Sequence, residues 1–381
     1  MPNNFVRHLM PVIASVILGA LAPRTDAKEL LVFISAFAPG GEGAIHAYQL
    51  DLATGQLKLV QRTTGVEYPF FLALSPDREF LYSIHAPGEF GGKSHEQVAA
   101  YKMVGRTGEL KLLNRQSTRG SASCYLAVDA TGKTVVLANY ATGSVASLPV
   151  QQDGSLGEIV SFVQHEGSSI DPKRQEGPHA HCAVISPDNR FVYAADLGID
   201  RVMAYRLDAA TAKLSPGRPP FVRTPPGVGP RHLTFHPNGQ RIYVINELAN
   251  SVTFFDYDTE PGILSERQTI STLPEGFAGT SYCADVKVTP NGHFLYGTNR
   301  GHDSIAAYRI GEDGQLTLLE IEPSLGQGPQ NLAITPGGEL LLCANMPGNN
   351  IVVFRIDAQT GDLTPVGEPV SMPSPSCIMI Q

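Results

Sequence analysis

The sequence contains no tryptophan and only five cysteines in 381 residues. The cysteines stand singly, so no CxxC pair indicates a zinc site or a redox motif. Four of them occupy similar places within apolar runs, and we interpret the set as buried small hydrophobic residues. A disulfide in an oxidising compartment is the alternative. The five are Cys124, Cys182, Cys283, Cys343 and Cys377.

Basic residues and long apolar runs are also scarce. Lys and Arg number 28 against 36 Asp and Glu, which gives a formal net charge of -8. We therefore expect no nucleic-acid partner, since phosphate backbones are bound by basic surfaces. After the N-terminal segment, no stretch is apolar enough to span a bilayer.

The N-terminal segment has the pattern of a secretory signal. Arg7 and His8 precede the short apolar run LMPVIASVILGALA, and the TDA sequence ending at Ala27 offers a cleavage site, with Ala20–Ala22 as a rival. We predict a signal peptide at residues 1–27 and export to the periplasm or the exterior, without stable membrane insertion after cleavage. The alternatives are an uncleaved membrane anchor, or a cytoplasmic protein if the segment is not a functional signal.

Several catalytic motifs are absent as well. The sequence has no Gly-rich phosphate loop, no GxSxG elbow and no HExxH helix. Its histidines and carboxylates are too scattered to predict a metal site, so we expect none.

One unit does recur along the chain, as in AVISPDNRFVYAADLGIDRVMAYRLD and VKVTPNGHFLYGTNRGHDSIAAYRIG. It consists of four short strands with period-two alternation, joined by Gly, Pro and Asn turns. The turn markers of six copies are Pro76, Ala130, Pro187, Pro237, Pro290 and Pro336. Nine residues beyond each marker stand His85, Asn139, Asp196, Asn246, Asn299 and Asn345.

Four-stranded antiparallel units at this spacing are typical of propeller blades. Residues 29–62 supply three further strands without a first one, and the C-terminal PSPSCIMIQ supplies a lone strand. We therefore predict an all-β fold, a seven-bladed β-propeller of four-stranded antiparallel blades, whose ring is closed by the C-terminal strand. Residues 28–381 would form a single domain.

Positions at which one copy departs from the others indicate function. The polar residue nine beyond the marker occurs in all copies and is interpreted as a structural cap of the following loop. The next residue is Glu247 in one copy and Arg300 in the neighbouring copy. Six residues before the marker, at the start of the first strand, stand His181 and Arg231. These four ionisable residues are predicted to converge at one mouth of the central channel.

Neighbouring residues complete the candidate site. His179 shares a strand face with His181 because the two are two residues apart. His232 and Asp285 fall one residue later in the register, so we expect them to face the other side as structural partners. The candidate substrate-binding residues are His179, Asn246, Asn299, Gln330 and Asn331.

Two arginines and a histidine favour an anionic ligand, because the guanidinium fork matches carboxylate or phosphate. A glutamate among them is explained if it holds an arginine in place or moves a proton. The sequence does not distinguish His181 from Glu247 as the base.

The segments GPHAHCAVISPDNRFVYAADLGIDRVMAYRLD, GPRHLTFHPNGQRIYVINE and LYGTNRGHDSIAAYRI resemble the seven-bladed propeller lactonase family. That family comprises 6-phosphogluconolactonases of the propeller type and carboxy-cis,cis-muconate cyclase. The resemblance spans nearly the whole mature chain. It implies hydrolysis of an anionic sugar lactone without a cofactor, with His181, Arg231, Glu247 and Arg300 as the catalytic residues.

Two features depart from the family pattern. Gln330 stands where the family usually has Arg, in PQN instead of PRN, which would weaken a phosphate contact. A signal peptide also conflicts with a cytosolic sugar-phosphate pathway, so an unphosphorylated or uronate lactone becomes an alternative substrate. A lactonizing cyclase and a non-catalytic exported propeller that binds a ligand or protein are the other hypotheses, and the oligomeric state is left open.

Overall fold

The computed structural model describes residue 1, residues 29–92 and residues 96–381, so the predicted signal peptide lies almost wholly outside the described residues. The described chain forms seven antiparallel four-stranded sheets around a central channel, which confirms the predicted propeller. A short 3-10 helix spans Gly40–Glu42.

Each blade runs from an inner strand at the channel to an outer strand at the rim. The strands are, in blade 1, β28 (Pro375–Ile380), β1 (Glu29–Ala36), β2 (Ala44–Asp51) and β3 (Leu57–Thr64); in blade 2, β4 (Leu72–Leu74), β5 (Phe80–His85), β6 (Gln97–Met103) and β7 (Leu110–Ser117); in blade 3, β8 (Ser123–Val128), β9 (Thr134–Asn139), β10 (Ser144–Pro149) and β11 (Ser161–Gln164); in blade 4, β12 (Val184–Ile185), β13 (Phe191–Asp196), β14 (Arg201–Asp208) and β15 (Lys213–Arg223); in blade 5, β16 (Pro230–Phe235), β17 (Arg241–Asn246), β18 (Ser251–Asp258) and β19 (Ile263–Ser271); in blade 6, β20 (Tyr282–Val288), β21 (Phe294–Arg300), β22 (Ser304–Ile310) and β23 (Leu316–Pro323); and in blade 7, β24 (Pro329–Ile334), β25 (Leu340–Asn345), β26 (Asn350–Ile356) and β27 (Leu363–Ser371).

The ring closes where the C-terminal strand β28 pairs with β1, in a register that sets Ile378 opposite Ile34 and Ile380 opposite Val32. This pairing covers strand edges that would otherwise remain exposed. The core consists of apolar clusters between adjacent blades, and all five cysteines are buried and free within the structure.

Tyrosines of the second strands connect successive blades. The hydroxyls of Tyr82, Tyr193, Tyr243 and Tyr296 each donate a hydrogen bond to a glycine carbonyl some 65 to 72 residues further on, at 2.8 to 3.1 Å. Each such bond contributes about 1 kcal/mol. The repeated contact keeps neighbouring blades in a constant orientation around the channel.

β-bulges interrupt the inner strands of several blades where they begin. The pairing shifts between Ser123 and Tyr125, between Pro230 and His232, and between Pro329 and Asn331. A bulge breaks the alternation of side chains and re-aims the extra residue. The residue that the sequence register singled out, six before the turn marker, is therefore the bulged residue in these blades.

A further register shift, between Cys283 and Val286, falls in β20. Because of these bulges, the prediction that His232 and Asp285 face away from the channel was wrong. The His232 ring lies 5.2 Å from the Tyr125 ring of blade 3 and 5.4 Å from the His181 ring of blade 4, so it points into the channel. The expected partnership exists, since His232 Nδ1 lies 2.9 Å from Asp285 Oδ1. Asn331 also donates to Asp285 at 2.7 Å, so the three side chains form one hydrogen-bonded group.

Candidate active site

Glu247 forms the centre of a charged cluster at the channel mouth. It follows β17 directly, and its backbone N–H donates to the Gly229 carbonyl at 2.7 Å. Its side chain is 6% exposed. Oε2 lies 2.9 Å from Arg231 Nε and 3.0 Å from Arg300 Nη2, while Oε1 accepts from Arg174 Nη2 at 2.6 Å. Three guanidinium groups from different parts of the chain therefore surround one carboxylate.

Arg231 is the most deeply placed of the three arginines. It is only 1% exposed, and its Nη1 donates to the carbonyl of Ala284 in the neighbouring blade. The bulge at the start of β16 turns its side chain towards Glu247. Arg300 ends β21 and reaches the same carboxylate from blade 6, with its Nη2 also donating to the Cys283 carbonyl at 3.1 Å.

The electrostatics of the cluster keep Glu247 ionised. Burial raises the pKa of this carboxyl, but Arg300, Arg231 and Arg174 outweigh the burial and lower the pKa below its ordinary value. Burial, together with Arg300, lowers the pKa of Arg231, although Glu247 opposes that shift. The three arginines and the glutamate together carry a net charge of about +2, which favours an anion in the adjoining space.

His181 lies beside this cluster, just before β12. Its Nε2 is 3.9 Å from Glu247 Oε2, and its Nδ1 is 3.6 Å from the thiol of Cys124. Burial and then the charge of Arg231 lower the pKa of His181 well below its ordinary value, so the imidazole is neutral at pH 7. Burial raises the pKa of the Cys124 thiol, so a protonated sulfur adjoins the ring.

The structure thus brings together His181, Arg231, Glu247 and Arg300, the four residues that the repeat register selected. It adds Arg174, which the sequence analysis missed. Arg174 lies in the long connection between β11 and β12, where no repeat register applies. Its Nη2 contacts Tyr140 Oη at 3.3 Å, and its guanidinium carbon lies 5.5 Å from the centre of the Tyr282 ring.

The connection that carries Arg174 is held by its own hydrogen bonds. Asp171 Oδ1 accepts from the backbone N–H groups of Lys173 and Arg174, and Gln175 bonds both to Asp171 and to the Leu197 carbonyl. Burial opposes the charge of Arg174, yet Glu247 and Tyr140 outweigh it and raise the pKa of the guanidinium. Arg174 is therefore a fixed cation at the edge of the site.

The remaining predicted site residues occupy different depths. His179 stacks behind Tyr140, with ring centroids 4.5 Å apart, and its backbone N–H donates to Asp196. Gln330 contacts the cluster directly, since Arg300 Nη1 lies 3.4 Å from its Oε1. Asn331 is buried and belongs to the hydrogen-bonded group of His232 and Asp285, where it donates to Asp285.

Asn246 and Asn299 lie inside their blades. Both are fully buried, and the side-chain amide of each donates to the serine five residues further on, Ser251 and Ser304 respectively. The structure therefore places these two amides among strand contacts beneath the site, away from the cavity wall. Their geometry fits the structural role that the repeat suggested.

The charged cluster forms one side of a cavity of about 340 Å³. Another part of the lining is apolar and consists of Phe37, Phe70 and Phe90, whose rings pack within 5.0 to 5.2 Å of one another. Met346 and Tyr140 also line the cavity. The cavity can therefore hold a small molecule with a polar edge and an apolar face.

Among the described residues, no group of three or more His, Cys, Asp or Glu side chains is arranged to hold a metal ion. No helix in the described part of the chain is both long enough and apolar enough to cross a membrane.

Comparisons with known proteins match this chain to seven-bladed propeller lactonases. A family model described as lactonase, 7-bladed beta-propeller, matches residues 31–380. The chain is 35% identical over 347 residues to the 6-phosphogluconolactonase of Bacillus subtilis, covering 91% of this chain and 97% of the relative. It is 32% identical to the 6-phosphogluconolactonase of Formosa agariphila, covering 87% and 94% of the two chains.

Among solved structures, the periplasmic gluconolactonase of Pseudomonas aeruginosa superimposes with a TM-score of 0.87. It is 32% identical in sequence, and the match covers 93% of this chain and 99% of that one.

Proposed function

This chain belongs to the lactonase family of seven-bladed β-propellers, and from that premise we propose that it is a lactonase that hydrolyses the ring ester of an anionic sugar lactone. The observation that carries the proposal is the cluster of three arginines around Glu247 at the wall of a cavity. The proposal assigns each side chain a part in ester hydrolysis.

The arginines supply positive charge where negative charge develops. When water attacks the ester carbon, the carbonyl oxygen becomes an oxyanion, and fixed cationic donors stabilise it more than they stabilise the neutral ester. Arg231 and Arg300 face the same carboxylate from adjacent blades, so their guanidinium groups are held without a ligand. The surplus positive charge of the cluster also suits a carboxylate or phosphate on the substrate.

His181 is proposed as the base. The Cys124 thiol donates to the His181 carbonyl at 3.3 Å, which leaves Sγ to accept from Nδ1–H. In this tautomer the lone pair of Nε2 faces the space in front of Glu247, 3.9 Å away. A water molecule between these groups would give its proton to Nε2 as it attacks, and the proton would pass to the ring oxygen as the ester bond breaks.

Glu247 is proposed to position the arginines instead of moving the proton. Its two oxygens already accept from three guanidinium groups, and its pKa is lowered, so it is a weak base. It also favours the positive charge that His181 gains during the reaction. The Phe37, Phe70 and Phe90 wall would receive the C–H face of the sugar ring and reduce the access of bulk water.

We further propose that the enzyme acts outside the cytoplasm. The support is the signal-like segment at residues 1–27 and the name of the Pseudomonas aeruginosa structure, a periplasmic gluconolactonase. Because a periplasmic substrate need not be phosphorylated, and because Gln330 is uncharged, a carboxylate-bearing or unphosphorylated lactone fits this setting.

A substrate panel tests the function. The purified chain without residues 1–27 is assayed with glucono-1,5-lactone, its 6-phosphate, the carboxylate-bearing glucaro-1,4-lactone and a muconolactone, after subtraction of spontaneous hydrolysis. We expect turnover of at least one sugar lactone, with the charged lactones preferred over the neutral one. Turnover of the muconolactone alone would instead support the cyclase hypothesis. Hydrolysis of no lactone would contradict the proposal and support the binding-protein hypothesis.

A further inference from the structure

A second cavity of about 620 Å³ adjoins the catalytic one. The two cavities share Arg300, Gln330 and Met346 in their linings, so a molecule bound in one can extend into the other. Neither the proposed chemistry nor the charged cluster uses this second space. Its position beside the ester-binding cavity makes it the natural place for a substituent on the lactone ring.

The lining of the second cavity differs from that of the first. Away from the shared residues its side chains are the neutral polar Thr280, Gln327 and Ser374, together with Tyr282, Pro347 and one carboxylate, Asp303. Asp303 Oδ1 accepts from the backbone N–H groups of Gly301 and Gly328, and its negative charge disfavours an anion in this cavity. A phosphate or carboxylate would need cations, which are concentrated around Glu247 instead. A neutral group with hydroxyls on its edge and an apolar face matches this set, since hydroxyls bond to amides and alcohols while C–H groups lie on an aromatic ring.

Tyr282 provides a platform for such a face. It begins β20 and is 38% exposed, one of the few large apolar side chains with that exposure among the described residues. The guanidinium of Arg174 lies over its ring at 5.5 Å, and the Tyr282 carbonyl faces Arg300 Nε at 3.4 Å. Arg174 thus covers one face of the ring and Arg300 contacts the backbone of the same residue, so Tyr282 needs little ordering when a ligand binds at the other ring face.

Two glycines permit the loops around the cavity to approach each other. Gly301 has φ +100° and Gly328 has φ +61°, conformations that favour glycine. A Cβ on Gly301 would lie 2.4 Å from the Thr280 carbonyl, and one on Gly328 would lie 2.4 Å from the Pro347 ring. The cavity is therefore a defined feature of the loops after β21 and before β24.

We infer that the second cavity is a sugar-binding subsite, and that the preferred lactone carries a neutral glycosyl unit that stacks on Tyr282. This inference rests on the proposed lactonase function. It places the lactone ring against the arginine cluster and the glycosyl unit over β20, with Arg300 and Gln330 at the junction. A disaccharide lactone fills both cavities, whereas a monosaccharide lactone fills only the first.

Binding of unreactive lactams tests the inference without requiring turnover. Glucono-1,5-lactam, cellobiono-1,5-lactam and gentiobiono-1,5-lactam are titrated calorimetrically into the chain without residues 1–27. We expect at least one disaccharide lactam to bind about tenfold or more tightly than the monosaccharide lactam. Tyr282→Ala should abolish the difference, whereas Tyr282→Phe should retain it because the ring face is kept.

Equal affinities for all three lactams in the unsubstituted protein would overturn the inference, as would a preference that persists in Tyr282→Ala. Failure of the lactonase proposal gives a different result, namely no hydrolysis of any lactone in the substrate panel, nor of cellobiono- or gentiobiono-1,5-lactone. A preference for a disaccharide lactam without hydrolysis would keep the subsite and reject the enzyme.

Discussion

Replacing Glu247 by Gln should destabilise the protein strongly, because it leaves Arg231 buried without its counterion. Arg231 is 1% exposed and lies 2.9 Å from the carboxylate, and its other contact is the Ala284 carbonyl. Removing one partner of a buried ion pair typically destabilises by about 3–5 kcal/mol. Since domains are stable by about 5–15 kcal/mol, the effect should be obvious in urea unfolding.

The same substitution should create an anion site. Three guanidinium groups without a carboxylate between them would bind phosphate, and ligand bound only to the folded state stabilises it. A site with Kd of about 1 mM would restore about 1.4 kcal/mol at about 10 mM phosphate. The unsubstituted protein should respond less, because Glu247 already neutralises part of the charge.

Urea unfolding is measured for the protein and for Glu247→Gln, with and without phosphate at constant ionic strength. Glu368→Gln, on the exposed outer strand of blade 7, is the matched control. The double variant Glu247→Gln/Arg231→Met should recover much of the loss, since it removes the unpaired charge as well. A loss below about 1 kcal/mol in Glu247→Gln, or an equal phosphate effect in all variants, would refute the reasoning.

Three further outcomes are expected. His181→Asn should lower kcat by about 10²- to 10⁴-fold with an unchanged circular dichroism spectrum, and near-normal kcat would exclude it as the base. Arg174→Met should raise KM at least about tenfold while changing kcat less than about threefold, as measured by initial rates, because its partly exposed cation binds substrate; an unchanged KM would remove it from the site. Stability should fall as pH drops below about 6.5, because burial lowers the pKa of His85 and of His232 to about 4 and the unfolded chain binds protons first. At pH 5, each histidine should lower the free energy of unfolding by about 2 kcal/mol. Urea midpoints that stay unchanged between pH 7.5 and pH 5 would contradict this expectation.

The repeat explains why much of the fold and several site residues could be predicted. Six copies in one register define the blade, and the unpaired C-terminal strand predicts the closure that β28 makes with β1. The same register compares equivalent positions, so a charge at Glu247 or Arg300 is conspicuous beside apolar residues in other copies. These charged side chains could be predicted to meet at one site because equivalent positions of successive blades lie at the same end of the channel.

The parts that were missed lie outside that register. Arg174 comes from the long connection after β11, whose shape depends on Asp171 and Gln175 and has no counterpart in other blades. The orientation of His232 was mispredicted because a bulge shifts the strand pairing at that point. The alternation of side chains along a strand, on which the prediction depended, does not reveal a bulge. Two rings of the apolar wall, Phe37 and Phe90, likewise follow strands in loops of irregular length.

The central claim is that lactone hydrolysis takes place at the charged channel mouth. The most direct test is kcat/KM for the best lactone of the panel in Arg300→Ala, beside Arg309→Ala. The side chain of Arg309 is exposed on β22 and donates to backbone carbonyls of the next blade. We predict a loss of at least about 100-fold in Arg300→Ala, as for removal of one oxyanion donor, and little change in Arg309→Ala. Full activity in Arg300→Ala, with the fold intact, would contradict the account.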